Sequence, residues 1–458
     1  MGAHSLRRRS GGRYYLILAL AFLALLAALG GASRADELQQ SLVRLTAIAV
    51  IAAALWPLDF AAFRDAQGPM ISFALVFLLL VLQLIPLPFD SWARMPGHAL
   101  YARVALETHS IGWRPWTLSP DLTLNALAGL LPAAAIGLVA LALDFGGRLV
   151  LARLVVTIAC ASALLGLMQF AAGGTTLHLF RTTSEDSAVG LFANRNHQAV
   201  LMACALPILA AVTSTRMRKE EQRSLRLPAI GLSAAALLVM GLAATGSRMG
   251  VLLGMIGLAS ASAIWVVRPE GLGIRRLRYG PWLMGTAFAT AALLSVALLI
   301  ARSGSFARLT SDPVDQTRVA AIGPILKAVR SFFPLGAGFG TFEPVYRRFE
   351  PDFLLSTIYL NQAHDEPLQL ALEGGIPALV LLLLFLAWWV HAAFRSVRPG
   401  GSASRRAMGV AMSATTLILM LSSLVDYPLR TPLLSALFAI GCVELVRSKR
   451  RLEPPRPA

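Results

Sequence analysis

Two short polar runs in this 458-residue chain combine an arginine with hydrogen-bonding side chains at the start of predicted helices: Asn-Arg-Asn-His at 194–197 and Gly-Ser-Arg at 246–248. The first turn of a helix has free N–H groups and a partial positive charge, and both favour anions. Because a guanidinium can donate two hydrogen bonds to one phosphate, we expect Arg195 and Arg248 to bind phosphate groups. The alternative for either arginine alone is contact with lipid headgroups, with Asn194 as an ordinary helix cap.

A third polar run places His364 directly before Asp365, Glu366 and Pro367. Either acid can cap a short helix that has Pro367 in its first turn, so we expect His364 just before that helix. A neighbouring carboxylate can orient an imidazole and stabilise its charged form, as general base catalysis requires. A lone histidine is more often structural, and these residues by themselves leave both interpretations open.

The elements that position these runs are apolar. Hydrophobic residues make up 56% of the chain and charged residues 14%, whereas a soluble domain carries roughly 25% charged residues. The charges are concentrated in short gaps between long apolar segments, which indicates a chain whose main solvent is lipid. The three cysteines lie inside apolar segments, without the spacing of a redox or zinc motif.

Apolar segments long enough to cross a bilayer as a helix recur along the whole chain. They span residues 14–32, 42–60, 70–89, 122–143, 149–172, 195–213, 227–245, 249–267, 281–301, 375–395, 406–425 and 428–446. The sequence therefore predicts an all-α polytopic membrane protein with about twelve transmembrane helices.

Basic residues occupy the N-terminal segment and alternate gaps between these spans, which the positive-inside rule places in the cytoplasm. We therefore expect a multi-pass protein of a bacterial inner membrane with both termini cytoplasmic. The first span also resembles a signal peptide, but the alternation requires it, so a retained helix is predicted. The same pattern accounts for the net charge of +17 without a nucleic-acid partner.

Three regions follow from this arrangement. Residues 1–301 are predicted to form a membrane domain with helices 1–9, and residues 302–374 a large periplasmic loop with short amphipathic helices. Residues 375–458 are predicted to hold helices 10–12 and a cytoplasmic tail. All three polar runs then lie on the outer side of the membrane.

The predicted periplasmic loop contains two further features. Residues 317–332, which begin next to Arg318, have the spacing of an amphipathic helix that can lie along a membrane surface. Residues 334–342 form a glycine run whose spacing differs from that of a dinucleotide-binding fingerprint. A tight turn with close backbone packing is the expected structure there.

In their order and spacing, these pieces resemble the O-antigen ligase family, which is related to the O-antigen polymerases. The resemblance covers roughly residues 190–380. It is carried by the runs at 194–197, 246–248 and 334–342, by Arg318, and by Ala363 and His364 leading into Leu368, Gln369, Gly374 and Gly375. Family members usually show an asparagine, an acid and an aromatic residue after the histidine. Here the acidic character remains and the aromatic residue is absent.

The resemblance implies a C-type glycosyltransferase that is independent of metals and cofactors. Such an enzyme moves a glycan from undecaprenyl pyrophosphate onto an acceptor sugar at the periplasmic face, and for ligases the acceptor is lipid A–core. Attack on the side opposite the leaving group would invert the anomeric centre. Grooves between the helices would hold the polyprenyl chain among membrane lipids.

The same resemblance implies roles for individual residues. His364 becomes the catalytic base, with Glu366 as its orienting group or as an alternative base. Arg248 and Arg318 would stabilise the departing pyrophosphate, with Arg195 as a weaker candidate. Two more residues of the first run, Asn196 and His197, are expected to contribute to substrate binding.

Two other functions remain open at this level. A polymerase would use the same donor but extend the glycan on its lipid carrier. A polysaccharide or lipid transporter or flippase would be expected to carry broken helices and ionisable groups deep in the membrane. Here the notable polar groups lie at the outer ends of the spans, and even Arg44, inside a predicted span, lies near an end.

Overall fold

The computed structural model describes residues 2–34, 37–56, 66–173, 176–182, 187–219, 226–266, 313–355, 360–398 and 402–447. Within these ranges the chain is mostly helical. The one sheet among the described residues is a two-residue antiparallel ladder that pairs β1 (Pro86–Leu87) with β2 (Arg114–Pro115).

Sixteen α-helices are found in the described ranges. The first eight are α1 (Gly2–Leu29), α2 (Leu38–Leu55), α3 (Gln67–Gln83), α4 (Phe89–Ala93), α5 (Ala99–Glu107), α6 (Pro120–Ala128), α7 (Leu131–Ala142) and α8 (Phe145–Ala171). The others are α9 (Arg195–Lys219), α10 (Arg226–Ala244), α11 (Arg248–Val266), α12 (Pro313–Phe332), α13 (Phe342–Tyr346), α14 (Glu366–Val397), α15 (Ala403–Ser422) and α16 (Pro432–Arg447). Short 3₁₀ turns lie at Asp352–Leu354 and Pro428–Arg430.

Eight helical segments of the described chain are long and apolar enough to cross a membrane. They are Gly12–Leu29, Leu38–Leu55, Pro120–Ala142, Phe145–Ala171, Arg195–Arg216, Leu227–Ala244, Arg248–Trp265 and Glu366–Val397. Each coincides with one of the predicted spans, because a helix satisfies its own backbone hydrogen bonds in lipid. The polytopic helical class is therefore confirmed.

The remaining predicted spans do not settle the total number of crossings. The span at 70–89 is the shorter apolar helix α3, and those at 406–425 and 428–446 correspond to α15 and α16. The span at 281–301 lies outside the described residues, as does the start of the predicted loop at 302–312. A total of twelve therefore stays a prediction.

The helix α9 forms the centre of the bundle. Most of its first 22 residues are buried, whereas the other candidate spans keep much of their surface exposed. It packs against α8, α10, α11 and α15. Since its apolar side chains face protein on all sides, its first turn lies in the middle of one end of the bundle.

The amphipathic helix predicted at 317–332 is confirmed as part of α12. Its buried residues recur at Ala321, Ile325, Ala328 and Phe332, the spacing of one helical face. This face packs in a separate apolar cluster with Phe342, Tyr346 and Leu372. The loop region therefore has a core of its own, joined to the first turns of α14.

The glycine run adopts the tight turn that its sequence predicts. Gly336, Gly338 and Gly340 have φ angles of 82°, 108° and 83°, which side-chain-bearing residues rarely adopt. The N–H of Gly338 donates to the carbonyl oxygen of Glu373 over 2.9 Å, and a Cβ there would lie 1.9 Å from Thr117 Oγ1. The run thereby joins α14 to the segment that precedes α6.

The helix α14 is divided by a kink at Gly375, where φ is 58° and ψ is −148°. The short first part, residues 366–374, is the helix expected after His364. Its cap is Asp365, whose side chain accepts the N–H of Leu368 over 2.9 Å. A Cβ at Gly375 would lie 2.1 Å from the Pro334 carbonyl oxygen. The kink therefore needs a glycine where it packs against the start of the glycine run.

Replacement of Gly338 by alanine is expected to lower the thermal unfolding temperature of the purified protein. The backbone conformation alone costs a side-chain-bearing residue about 1–3 kcal/mol, and the new Cβ would collide with Thr117. Tryptophan fluorescence in detergent gives the unfolding temperature. The matched control is Gly323→Ala, a helical site with open space around it. Equal unfolding temperatures for the two variants would contradict the packing described for the run.

Candidate functional site

The polar runs at 194–197 and 246–248 meet through direct hydrogen bonds at the central end of the bundle. Asn196 Oδ1 accepts from Ser247 Oγ over 2.8 Å. The amide nitrogen of the same side chain, Nδ2, donates to Asp426 Oδ2 over 2.7 Å. A single asparagine therefore connects the first turns of α9 and α11 to the connection between α15 and α16.

The carboxylate of Asp426 lies at the centre of this network and is 3% exposed. It accepts from Asn194 Nδ2 over 3.3 Å, from Asn196 Nδ2 over 2.7 Å and from the N–H of Tyr427 over 2.8 Å. Burial acts to raise the pKa of this carboxyl, but its contact with His197 and the positive charge nearby hold the pKa below its usual range. Asp426 is therefore ionised.

Local hydrogen bonds fix the turn that carries the asparagines. Asn194 Oδ1 accepts the N–H of Asn196 over 2.8 Å and so caps α9, as the sequence suggested. The segment just before Asn194 is held by Gln169, whose Oε1 accepts the N–H groups of Val189 and Gly190 over 3.1 and 2.8 Å. Because Gly190 has a φ of 57°, the chain can reverse there and enter α9.

His197 lies inside the protein, with 1% of its surface exposed. Its Nδ1 is 2.9 Å from Thr431 Oγ1, and its Nε2 is 3.7 Å from Asp426 Oδ1. The ring meets Tyr427 edge-on at 5.4 Å between centroids. The structure thus places His197 behind Asp426, among the residues that support the network.

His364 lies on the other side of Tyr427, with the two rings edge-on at 4.8 Å. Its φ of 55° is unusual for a residue with a side chain, so the surrounding contacts must hold it in place. The ring nitrogen Nδ1 is 2.9 Å from the carbonyl oxygen of Gln362. Since a carbonyl oxygen only accepts, Nδ1 carries the proton and Nε2 presents a lone pair.

The imidazole of His364 is neutral at ordinary pH. Burial and the positive charge of Arg318 lower its pKa from 6.5 to about 4, against the opposing effects of Asp426 and the Gln362 carbonyl. A neutral imidazole with an unprotonated Nε2 can accept a proton from a hydroxyl group. The geometry and the neutral state therefore allow His364 to act as a general base.

The carboxylate of Glu366 is held by Arg430. Arg430 Nε donates to Glu366 Oε1 over 2.7 Å, and Nη2 donates to Oε2 over 3.0 Å, which is a bidentate ion pair. The sequence predicted Glu366 as the group that orients His364 or as an alternative base. In the structure, the group that accepts from the imidazole is the Gln362 carbonyl, and Glu366 faces Arg430.

The predicted phosphate ligands take three different positions. Arg318 lies on α12, half-buried, and its charge acts on both His364 and Asp426. Arg248 is the first residue of α11 and is exposed directly after Ser247. Arg195 is the first residue of α9 and is half-buried next to Asn196. The structure thus brings Arg318 to His364 and places the other two beside the asparagine network.

Three residues of this end of the bundle were missed from sequence: Asp426, Tyr427 and Arg430. They lie where two predicted spans, 406–425 and 428–446, almost touch, so no loop was visible between them. The alternation of sides nevertheless places this connection on the outer side, with the other polar runs. The signal available in the sequence was Asp426, an acid next to a predicted span on the outer side.

Among the residues that the structure describes, no group of three or more histidine, cysteine, aspartate and glutamate side chains has the arrangement of a metal site. The chemistry that the described groups can perform is proton acceptance by His364 and anion binding by arginines at helix ends.

Comparison with known proteins supports the family recognised from the motifs. A family model described as O-antigen ligase matches residues 233–383, which include Arg248, Arg318 and His364. No curated protein matches the chain. The match and the long apolar helices support a multi-pass membrane protein of the kind that ligates or polymerises lipid-linked glycans.

The side-chain titration of His364 is expected to occur at about pH 4. Removal of the positive charge in Arg318→Gln should raise this pKa, and removal of the negative charge in Asp426→Asn should lower it. Nitrogen NMR of histidine-labelled protein measures both shifts, and it also reports whether Nδ1 carries the proton. His391, an exposed histidine on α14, serves as the internal control. A pKa of His364 that is the same in all three proteins would contradict the described electrostatics.

Proposed function

We propose that the protein transfers a glycan from undecaprenyl pyrophosphate to an acceptor sugar at the periplasmic face of a bacterial inner membrane. The proposed acceptor is lipid A–core. The observation that carries the proposal is His364, a neutral imidazole with an unprotonated Nε2, next to Arg318. The charge of Arg318 acts on His364, and a base with a cation nearby is what an acceptor hydroxyl and a departing pyrophosphate require.

The leaving group sets the first requirement. When the bond between the sugar C1 and the phosphate oxygen breaks, negative charge develops on the pyrophosphate. Arg248 and Arg318 are the groups proposed to stabilise this charge, with Arg195 at the start of α9 as a weaker candidate. Removal of one such electrostatic partner typically lowers a rate about 10²–10³-fold.

The acceptor sets the second requirement. Its hydroxyl oxygen forms the new bond to C1 while its proton moves to His364 Nε2. The other proton stays on Nδ1, which donates it in a hydrogen bond to the Gln362 carbonyl oxygen, so the imidazole becomes a cation. Asp426 stabilises that cation, since its negative charge already raises the pKa of His364. Attack from the side opposite the pyrophosphate inverts the anomeric centre.

The asparagine network has a supporting role in this scheme. Asn196 connects α11, which begins with Arg248, to Asp426, which acts on His364. His197 supports Asp426 from the buried side. Since Tyr427, the neighbour of Asp426, packs edge-on against His364, this network connects the start of α11 to the turn that carries the base.

The cellular setting of the proposal rests on charge. The alternation of basic gaps along the sequence places the starts of α9 and α11, together with His364, on the periplasmic side. Both termini are then cytoplasmic. A donor that carries its glycan on the outer leaflet would reach the site through grooves between the helices.

The direct test is glycan transfer by purified protein supplied with lipid-linked oligosaccharide and lipid A–core. His364→Ala is expected to lower the rate about 10²–10⁴-fold through loss of the base. Arg248→Ala is expected to lower it about 10²-fold or more through loss of charge stabilisation. The controls are His391→Ala and Arg347→Ala, because His391 and the Arg347–Glu343 pair are exposed. Both controls should keep the wild-type rate.

Each outcome identifies a different function. Transfer to lipid A–core that fails in both site variants supports a ligase with this site. Extension of the glycan on its lipid carrier instead would make the protein a polymerase that uses the same residues. Absence of transfer, or normal rates in the site variants, would overturn the assignment and favour transport.

A further inference from the structure

The turn that carries His364 is attached to the segment 423–430 at three places. The N–H of Glu366 donates to the Ser423 carbonyl oxygen over 2.9 Å. The Tyr427 ring packs edge-on against His364. The carboxylate of Glu366 receives both hydrogen bonds from Arg430. Of these three contacts, the ion pair is the one that holds the turn through two hydrogen bonds of defined direction.

Arg430 also lies near a second acid. Arg430 Nη2 lies 3.8 Å from Glu373 Oε2, and the Glu373 side chain is fully buried. Glu373 Oε1 accepts from the N–H of Phe342 over 3.1 Å and from Gln369 Nε2 over 3.0 Å. One arginine thus faces two acidic side chains that lie two turns apart on α14, and through Glu373 it ties the glycine run to the same point.

The opposite side of the turn is held by Gln369. Gln369 Oε1 accepts the N–H of Ala363 over 2.9 Å, and its Nε2 bonds to the side chain of Gln362. His364, with its φ of 55°, therefore lies between a glutamine on one side and an ion pair on the other. Since this backbone conformation is unfavourable, loss of either contact would let it relax.

We infer that Arg430 is a positioning residue for His364: through Glu366 it holds the turn in the conformation that presents Nε2 to substrate. The pKa of His364 is set by burial and by Arg318, Asp426, Gln362 and His197, and Arg430 is not among these causes. We therefore expect Arg430 to act on His364 through the backbone of the turn. The effect on catalysis rests on the proposed transferase function. The effect on the position of the imidazole is independent of that function.

The first experiment measures the imidazole directly. Diethyl pyrocarbonate modifies unprotonated imidazole nitrogens, and mass spectrometry of the His364 peptide gives the rate. Arg430→Gln and Arg430→Lys, which cannot make the bidentate pair, are expected to change this rate several-fold. The matched control is Arg148→Gln, which breaks the buried Arg148–Glu444 pair on α8 and α16. A His364 rate that is unchanged in both Arg430 variants would overturn the inference.

The second experiment measures glycan transfer by the same variants. A base displaced by about 1 Å can cost about 10²-fold in rate, so kcat should fall by that order in Arg430→Lys. The donor KM and the acidic limb of the pH profile should stay at their wild-type values. Glu366→Gln should give the same loss, and the double variant should be no slower than either single one.

A purely structural role would give a different pattern. It would lower the unfolding temperature and the yield in the Arg430 variants as in Arg148→Gln, but leave kcat per folded molecule unchanged. That result would overturn the inference while leaving the proposed function in place. If wild-type protein transfers no glycan, the proposed function fails, and the modification rate of His364 still decides whether Arg430 positions it.

Discussion

A buried carboxylate, Asp426, is the constraint on which the rest of the site depends. An isolated charge in the interior is strongly unfavourable, so its oxygens must be satisfied by donors. The structure supplies two asparagine side chains from the first turn of α9 and one backbone N–H. These bonds hold the start of the central helix against the connection between α15 and α16, which is far away in sequence.

The electrostatic consequence extends to His364. The negative charge of Asp426 opposes the effect of Arg318, so the imidazole lies between a cation and an anion without direct contact to a carboxylate. At rest, burial and the charge of Arg318 outweigh the effect of Asp426, and the base is neutral. When the imidazole accepts a proton, Asp426 is the nearby negative charge that stabilises it. One carboxylate therefore organises the helices and tunes the base.

The hydropathy of the chain predicted most of the fold. Lipid requires every backbone group to be satisfied within the span, so a long apolar segment has few alternatives to a helix. The glycine run and the cap at Asp365 were also predictable, because both are local: a positive φ needs glycine, and a cap needs a side-chain acceptor. The number of crossings does not follow in the same way, since α3 and α16 are shorter than a full span.

The site was predicted only in part, and the reason is distance along the chain. Costly polar groups at the ends of spans identified Asn196, Arg248 and His364. Their partners were invisible, because Asn196 and Asp426 are 230 residues apart and Glu366 and Arg430 are 64 apart. For the same reason Glu366 looked like the orienting group of His364, whereas the Gln362 carbonyl takes that place. The sequence shows which polar side chains are unfavourable at the end of a span, and the fold shows which partners satisfy them.

The account is tested most directly by a structure of the protein bound to undecaprenyl pyrophosphate that carries a sugar. The central claim is that the donor's pyrophosphate binds at the outer end of the bundle, where α9, α11 and α14 begin. We expect its oxygens against Arg248 and Arg318, with the sugar C1 on the side of His364 Nε2. A pyrophosphate bound at the opposite end of the bundle, near Arg148, or one that contacts neither arginine, would contradict the claim.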